Sequence, residues 1–172
     1  GGGKTGGSLL IAAGMTNGDW DKICVIDSEN NSSELYANNP RLGTGEFFHV
    51  GVSEFSPKEY IKAITACEEG GIEVCIIDSI THCWEWCTKK ANTMPGNTWQ
   101  NWGIVKAQFD EFKNKMLQSP MHIICTVRKK ETTAMEVNDK GKTEIVKKGL
   151  SEVMVDGMNY EFTTVFDVDS YH

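Results

Sequence analysis

The chain has 172 residues, 40% of them hydrophobic, and a net charge of −7. This size and apolar content suit one globular domain with a sizeable core. No apolar run approaches the ~18 residues of a membrane span, so no membrane partner is expected. The negative charge argues against a globally basic nucleic-acid-binding protein, although it leaves a local basic patch open.

The first residues match the second half of a phosphate-binding loop, G-x-x-x-x-G-K-[ST]. In such a loop backbone N–H groups surround the phosphates, the lysine reaches the β- and γ-phosphates of ATP, and the Thr hydroxyl binds Mg²⁺. The predicted nucleotide-binding residues are Gly1, Gly2, Gly3, Lys4, Thr5 and Gly6. Taken alone, a glycine-rich end is also typical of a tag or tail. The leading glycine of the pattern would precede residue 1, so residues 1–172 are interpreted as one ATPase domain truncated at its N-terminus.

Strands and helices are predicted to alternate along the chain. A helix begins near residue 9 and ends near 17. Another, with an N-cap, a first-turn proline and a capping-box glutamate at Ser56, Pro57 and Glu59, ends near 70, and a long one has its core face over 102–116. Strands are predicted at 22–26, 47–52, 72–79, 121–127 and 160–168, with a polar loop at 88–98 and a hairpin turn at 138–141.

This alternation predicts an α/β fold, a mostly parallel sheet flanked by helices with a β-hairpin excursion near the C-terminal end. Two of the six cysteines, Cys24 and Cys75, lie in the apolar strands, which favours reduced thiols of a cytoplasmic protein over a disulfide framework. Ligands of parallel sheets collect at the carboxyl ends of the strands. The side chains expected there belong to Asp27, Glu29, Asp78, Ser79 and Thr126.

Two acids at these strand ends are candidates for the chemistry of a nucleotide site. Asp78 ends an apolar strand, as does the Walker B aspartate that orients Mg²⁺, although such an Asp also serves as a helix N-cap. Many P-loop ATPases place a glutamate directly after that aspartate, and here the position is Ser79. Glu29 is the alternative residue for activating water, or else a solvated acid in a loop.

These segments resemble RecA-type ATPases. Residues 25–29 (VIDSE) resemble the strand whose second acid is catalytic, and residues 76–79 (IIDS) are similar to the RecA-type Walker B strand. The resemblance implies that Glu29 is catalytic and that Thr126 senses the γ-phosphate. The chain looks most like phage AAA-type ATPases linked to single-strand annealing, and the segments that carry this likeness are 102–103, 119–124, 148–150 and 157–162.

The same resemblance implies that residues 128–148, with seven basic and four acidic side chains, form a DNA-contacting loop. The alternative is a hairpin whose charges only keep it solvated. A second DNA loop is implied at 87–102, where Trp99 could stack on bases or pack in the core. The implied DNA contacts are Lys89, Lys90, Lys129, Lys130, Lys140 and Lys142, and Lys147 or Lys148 would reach the ATP of an adjacent subunit.

The motifs therefore predict a P-loop ATPase that uses ATP and Mg²⁺, and the resemblance implies that it binds and anneals single-stranded DNA in phage recombination and assembles into a homo-oligomer. A single-strand-binding protein is a further expected partner, and the expected location is the cytoplasm of a bacterial cell or a phage-infected host. Two alternatives stay open, an ATP-binding assembly or regulatory module with little hydrolysis, and a replication or packaging P-loop ATPase.

Overall fold

The computed structural model describes residues 3–137 and 143–168. The four α-helices are α1 (Lys4–Met15), α2 (Pro57–Glu69), α3 (Ile80–Thr93) and α4 (Thr98–Gln118). The six strands are β1 (Ile23–Asp27), β2 (Phe48–Gly51), β3 (Val74–Asp78), β4 (His122–Cys125), β5 (Lys129–Val137) and β6 (Thr143–Glu152). Short 3-10 helices cover Trp20–Lys22, Ser32–Tyr36 and Met158–Glu161.

The main sheet has four parallel strands in the order β2-β1-β3-β4, and β5 and β6 form a separate antiparallel hairpin. Strands β1 and β3 are buried along their whole length, because helices cover both faces of the sheet. The predicted α/β fold, with a parallel sheet flanked by helices and a β-hairpin excursion, is confirmed. No helix among the described residues is long and apolar enough to cross a membrane.

Successive residues of the central strands enter two different cores. Ile26 and Ile77 pack with α2, α3 and α4 around Tyr60 and Phe112, whereas Val25 on the opposite face packs with α1. A parallel strand buried on both faces therefore needs an uninterrupted apolar run. The six cysteines are free thiols, and five of them are buried in these layers.

Three local predictions differ from the structure. Residues 88–93 belong to α3 and not to a loop, because Cys87 and Ala91 are buried on the side of α3 that packs against α4. The predicted strand 160–168 is absent among the described residues, where Met158–Glu161 is a 3-10 helix. An extended segment without a neighbouring strand leaves its backbone groups to water, and Tyr160 is 88% exposed.

The third difference concerns the start of α2. Ser56 is the N-cap and Pro57 takes the first turn as predicted, but the Ser56 side chain makes no capping hydrogen bond. Its carbonyl oxygen instead accepts from the backbone N–H groups of Glu59 and Tyr60. The Glu59 carboxylate pairs with Lys62 at 2.6 Å, so the predicted capping box does not form. The predicted turn at 138–141 lies outside the described residues.

Candidate nucleotide site

The predicted site residues meet at the carboxyl edge of the parallel sheet. Asp27 and Asp78 are register neighbours at the ends of β1 and β3. Thr126 follows β4, and its backbone N–H donates to the carbonyl of Ile77 at 3.0 Å. Helix α1 begins at Lys4 beside this edge, so the phosphate-loop residues and the strand-end residues share one location.

The centre of the site is the Asp78 carboxylate. The Thr5 hydroxyl donates to Asp78 Oδ2 and the Thr126 hydroxyl donates to Oδ1, both at 2.5 Å. Asp78 is 3% exposed and Thr126 is 4% exposed. Asp78 is therefore not the helix N-cap of the alternative interpretation, since Ser79 takes that position in α3. The Asp78–Ser79 peptide bond is cis.

The start of α1 presents backbone N–H groups without a side-chain cap. Gly3 is the N-cap, with a left-handed φ of 73° that favours glycine, and no acidic residue stands in the first turn. Uncapped first-turn N–H groups and the helix dipole attract anions. Lys4, half-buried, is the first residue of this helix. Gly1 and Gly2 lie outside the described residues.

Gly6 has a packing reason that the sequence does not reveal. A Cβ at this position would meet Cε1 of Tyr36 at 3.2 Å, tighter than an ordinary contact, whereas a Cβ at Gly7 would meet nothing within 4 Å. Tyr36 belongs to the 3-10 helix that follows β1. Close approach of this ring to α1 therefore accounts for one of the two unusual glycines.

Glu29 lies at the same edge of the sheet, in a loop that Asp27 holds. Asp27 accepts backbone hydrogen bonds from Glu29 at 2.5 Å and from Ser33 at 2.8 Å. The Glu29 carboxylate is engaged rather than solvated. It accepts from the Ser79 hydroxyl at 3.2 Å and forms a two-point ion pair with Arg128, whose Nε lies 2.7 Å from Oε1.

The electrostatic surroundings keep Glu29 ionised. Burial disfavours the charge, but the hydrogen bond and the charge of Arg128 outweigh it, with smaller contributions from the nearby His82 ring and the Ser79 hydrogen bond. These groups lower the pKa of Glu29 below its ordinary value. The same pair raises the pKa of Arg128.

A buried polar network fixes the ends of β1 and β3 beneath Glu29. The Ser28 hydroxyl oxygen accepts from the Ser79 N–H at 3.0 Å and lies 2.8 Å from Nδ1 of His82. Phe55 stacks on the His82 ring with the ring centroids 4.9 Å apart. The site therefore rests on packed and hydrogen-bonded supports from β1, β3 and α3.

The lysines implied as DNA contacts occupy different elements. Lys89 and Lys90 lie on α3, where Lys90 stands 5.9 Å from the Trp86 ring centre, and Trp99 on α4 is 85% exposed. Lys129 and Lys130 lie on β5, where Lys129 pairs with Asp167, and Lys147 and Lys148 lie on β6. Lys140 and Lys142 lie outside the described residues.

Sequence reasoning missed the role of Arg128, which it counted only among the charges of the hairpin. Its position two residues after Thr126, directly beyond a strand end, was the available signal. His82 and Tyr36 gave no such signal, because their partners are distant in sequence. Among the described residues, no group of three or more His, Cys, Asp or Glu side chains is arranged to hold a metal ion.

Comparison with known proteins gives the family. No curated protein matches the chain. The family model described as "AAA domain" matches residues 1–171, nearly the whole sequence. The predicted P-loop ATPase type is thereby confirmed at the level of the family, whose members generally bind and hydrolyse nucleotides. The chain belongs to the AAA domain family of P-loop ATPases.

Proposed function

We propose that the protein hydrolyses ATP with Mg²⁺ at the carboxyl edge of its sheet. The observation that carries this proposal is the hydrogen-bonded line Thr5–Asp78–Thr126. It joins the start of α1 to the ends of β3 and β4, three elements that are far apart in sequence. A phosphate-loop threonine beside a strand-end aspartate is the arrangement that P-loop NTPases use for nucleotide and metal.

The residues present fit Mg²⁺. Mg²⁺ prefers oxygen ligands, usually one or two protein oxygens completed by phosphate and water. The buried Asp78 carboxylate and the Thr5 hydroxyl supply such oxygens, and no salt bridge within residues 3–137 and 143–168 reaches Asp78. A bound Mg²⁺ would neutralise charge developing on the phosphates. The Thr126 hydroxyl donates a hydrogen bond to Asp78 in this structure, and it would supply a polar group that contacts the γ-phosphate.

The phosphates would lie over the start of α1, where Lys4 and the first-turn N–H groups attract negative charge. Glu29 would accept the proton of the attacking water, because it is the ionised carboxylate next to the Asp78 site. Its position two residues beyond the end of β1 keeps it at the same edge as Asp78.

Replacement of Glu29 tests this assignment. The Glu29→Gln variant should bind ATP normally and lose turnover, since an amide cannot accept the proton. The matched control is Glu34→Gln, which removes the same charge from the following 3-10 helix. Undiminished hydrolysis by Glu29→Gln, measured as phosphate release, would refute the role of Glu29.

We further propose that the substrate on which this ATPase acts is single-stranded DNA. The resemblance to phage annealing ATPases supports this proposal, and so does the net charge of +3 over residues 128–148 in a chain of net charge −7. The hairpin β5–β6 exposes Lys130. The proposed activity is annealing in phage recombination, carried out by a homo-oligomer together with a single-strand-binding protein. It belongs in the cytoplasm of a bacterial cell or a phage-infected host, where the DNA lies.

Salt dependence tests the DNA proposal. Each phosphate contact on a single strand adds about 0.7 to the slope of log affinity against log salt, so Lys130→Gln should weaken binding of an oligo(dT) strand and reduce that slope by about 0.7. Lys58→Gln, on the first turn of α2, is the matched control. Affinity that does not change between low and high salt would exclude backbone contact as the basis of binding.

A second candidate function is an ATP-binding assembly or regulatory module that hydrolyses little. The engagement of Glu29 by Arg128, together with Ser79 in place of an acid after Asp78, favours it. DNA-stimulated turnover would separate the first function from this one. Strand annealing would separate it from a replication or packaging ATPase.

A further inference from the structure

The segment that follows β6 lies along one flank of α4. Its Glu161 carboxylate accepts from the Lys113 ammonium group at 3.0 Å. Trp99, Lys106 and Lys113 follow one another at steps of seven residues, about two helical turns, so they form a row on this flank of α4. The row and residues 153–161 therefore share one face of the molecule.

A cleft between the row and the segment carries two opposite charges that do not pair. Lys106 lines the cleft from α4 and Asp156 lines it from the segment, and the rings of Trp84 and Phe109 also line it. Lys106 and Asp156 are exposed, and neither forms a salt bridge within residues 3–137 and 143–168. The cleft therefore has a positive side and a negative side, and each can accept a charge from outside the chain.

Two exposed aromatic rings extend this face beyond the cleft. Trp99 is 85% exposed and Tyr160 is 88% exposed, and Trp and Tyr are the residue types that contribute most to binding at protein interfaces. A two-fold axis through the cleft turns the face onto a copy of itself, so that each positive side meets a negative side. The four rings of two copies would bury about 600–1,000 Å², a large part of the roughly 1,200–2,000 Å² of a specific interface.

We propose that this face binds a second copy of the chain about a two-fold axis that passes through the cleft. In the dimer Lys106 of each copy pairs with Asp156 of the other copy, and the rings of Trp99 and Tyr160 are buried in the contact. The inference deepens the homo-oligomer of the proposed function and rests on that part of it alone. The face belongs to the α3–α4 side of the sheet, whereas α1 packs on the opposite side, so the dimer leaves the start of α1 open to nucleotide.

Charge exchange tests the pairing, with sedimentation equilibrium of the full chain as the measurement. Lys106→Glu or Asp156→Lys alone sets like charges against each other at both contacts, so each should raise the dimer dissociation constant at least about tenfold. The double variant Lys106→Glu/Asp156→Lys restores both pairs with the signs exchanged, and its dissociation constant should return close to the parent value. Arg41→Glu makes the same charge change in the exposed loop before β2 and should leave the constant unchanged.

The two rings are tested by truncation, which leaves the fold intact because both side chains are exposed. Trp99→Ser and Tyr160→Ser should each raise the dimer dissociation constant at least about thirtyfold, the effect of removing a residue that dominates an interface. Leu35→Ser is the matched control, since Leu35 is 79% exposed on the 3-10 helix after β1. Thermal melting and binding of a fluorescent nucleotide should match the parent in all three variants.

The outcomes separate this interface from the rest of the proposed function, because sedimentation needs neither ATP nor DNA. A chain that sediments as a monomer at every concentration, or a double charge exchange that restores nothing, would overturn the proposal. An oligomer that persists unchanged in Trp99→Ser keeps the homo-oligomer but refutes this interface. If Trp99→Ser weakens only the binding of oligo(dT), the row on α4 is a DNA-binding surface and the dimer proposal is wrong.

Discussion

Replacing Thr126 with valine tests the hydrogen-bonded line at the centre of the site. The substitution keeps the volume and the β-branch of the side chain but removes the hydroxyl that donates to Asp78 at 2.5 Å. A buried hydrogen bond to a charged group contributes about 2 kcal/mol, and the carboxylate oxygen that loses its donor is shielded from solvent, since Asp78 is 3% exposed. We therefore expect the melting temperature to fall by about 4–8 °C.

The effect on catalysis should exceed the effect on binding. If the Thr126 hydroxyl senses the γ-phosphate, kcat falls at least about tenfold while nucleotide affinity changes little, because the group acts on charge that develops during the reaction. The assays are steady-state phosphate release, fluorescent-nucleotide titration and thermal melting.

Two further variants serve as controls for Thr126→Val. Thr126→Ser retains the hydroxyl and should recover most of the activity. Thr88→Val removes a hydroxyl that donates to a backbone carbonyl within α3 at 3.0 Å, and it should leave turnover at the parent level. A Thr126→Val protein with parent turnover and parent stability would contradict both the hydrogen bond and the sensing role. A Thr126→Val protein with lower stability but parent turnover would show that Thr126 stabilises Asp78 without sensing the γ-phosphate.

Three other outcomes follow from the geometry. Gly7→Ala should raise the free energy of unfolding by up to about 1 kcal/mol, since a Cβ there meets open space in α1, whereas Gly6→Ala should gain less in the same urea titration because Tyr36 stands in the way. Phe112→Ala should cost about 3–5 kcal/mol by urea titration, because this ring is fully buried against Tyr60. Lys115→Met should make the free energy of unfolding depend less on pH in the acid range. The hydrogen bond from Lys115 lowers the pKa of Glu68, so this stability is present above the ordinary pKa of 4.5 and is lost as the pH falls through the lowered value.

The sequence by itself determined the layers of the fold. The apolar residues of β1 and β3 follow one another without polar alternation, so both faces of each strand must be buried. A parallel sheet between helices buries both faces, and that sheet is the one observed. The predicted secondary structure is wrong at two places where tertiary contacts determine the conformation of the backbone. The polar residues in 88–93 are typical of a loop, but burial of Ala91 on one side of α3 keeps this segment helical. The pattern of residues 160–168 resembles a strand, but no described strand lies beside it to pair with it.

The sequence likewise placed Thr5, Asp78 and Thr126 at one edge, because the carboxyl ends of parallel strands and the start of α1 must meet there. It could not show that Glu29 is held by Arg128, since the two residues are 99 positions apart and only the hairpin's attachment beside α3 brings them together. It could not explain Gly6 either, because Tyr36 reaches α1 only in the folded chain. Local pattern thus determines which residue types stand at the site, whereas their pairing depends on contacts that only the packed fold creates.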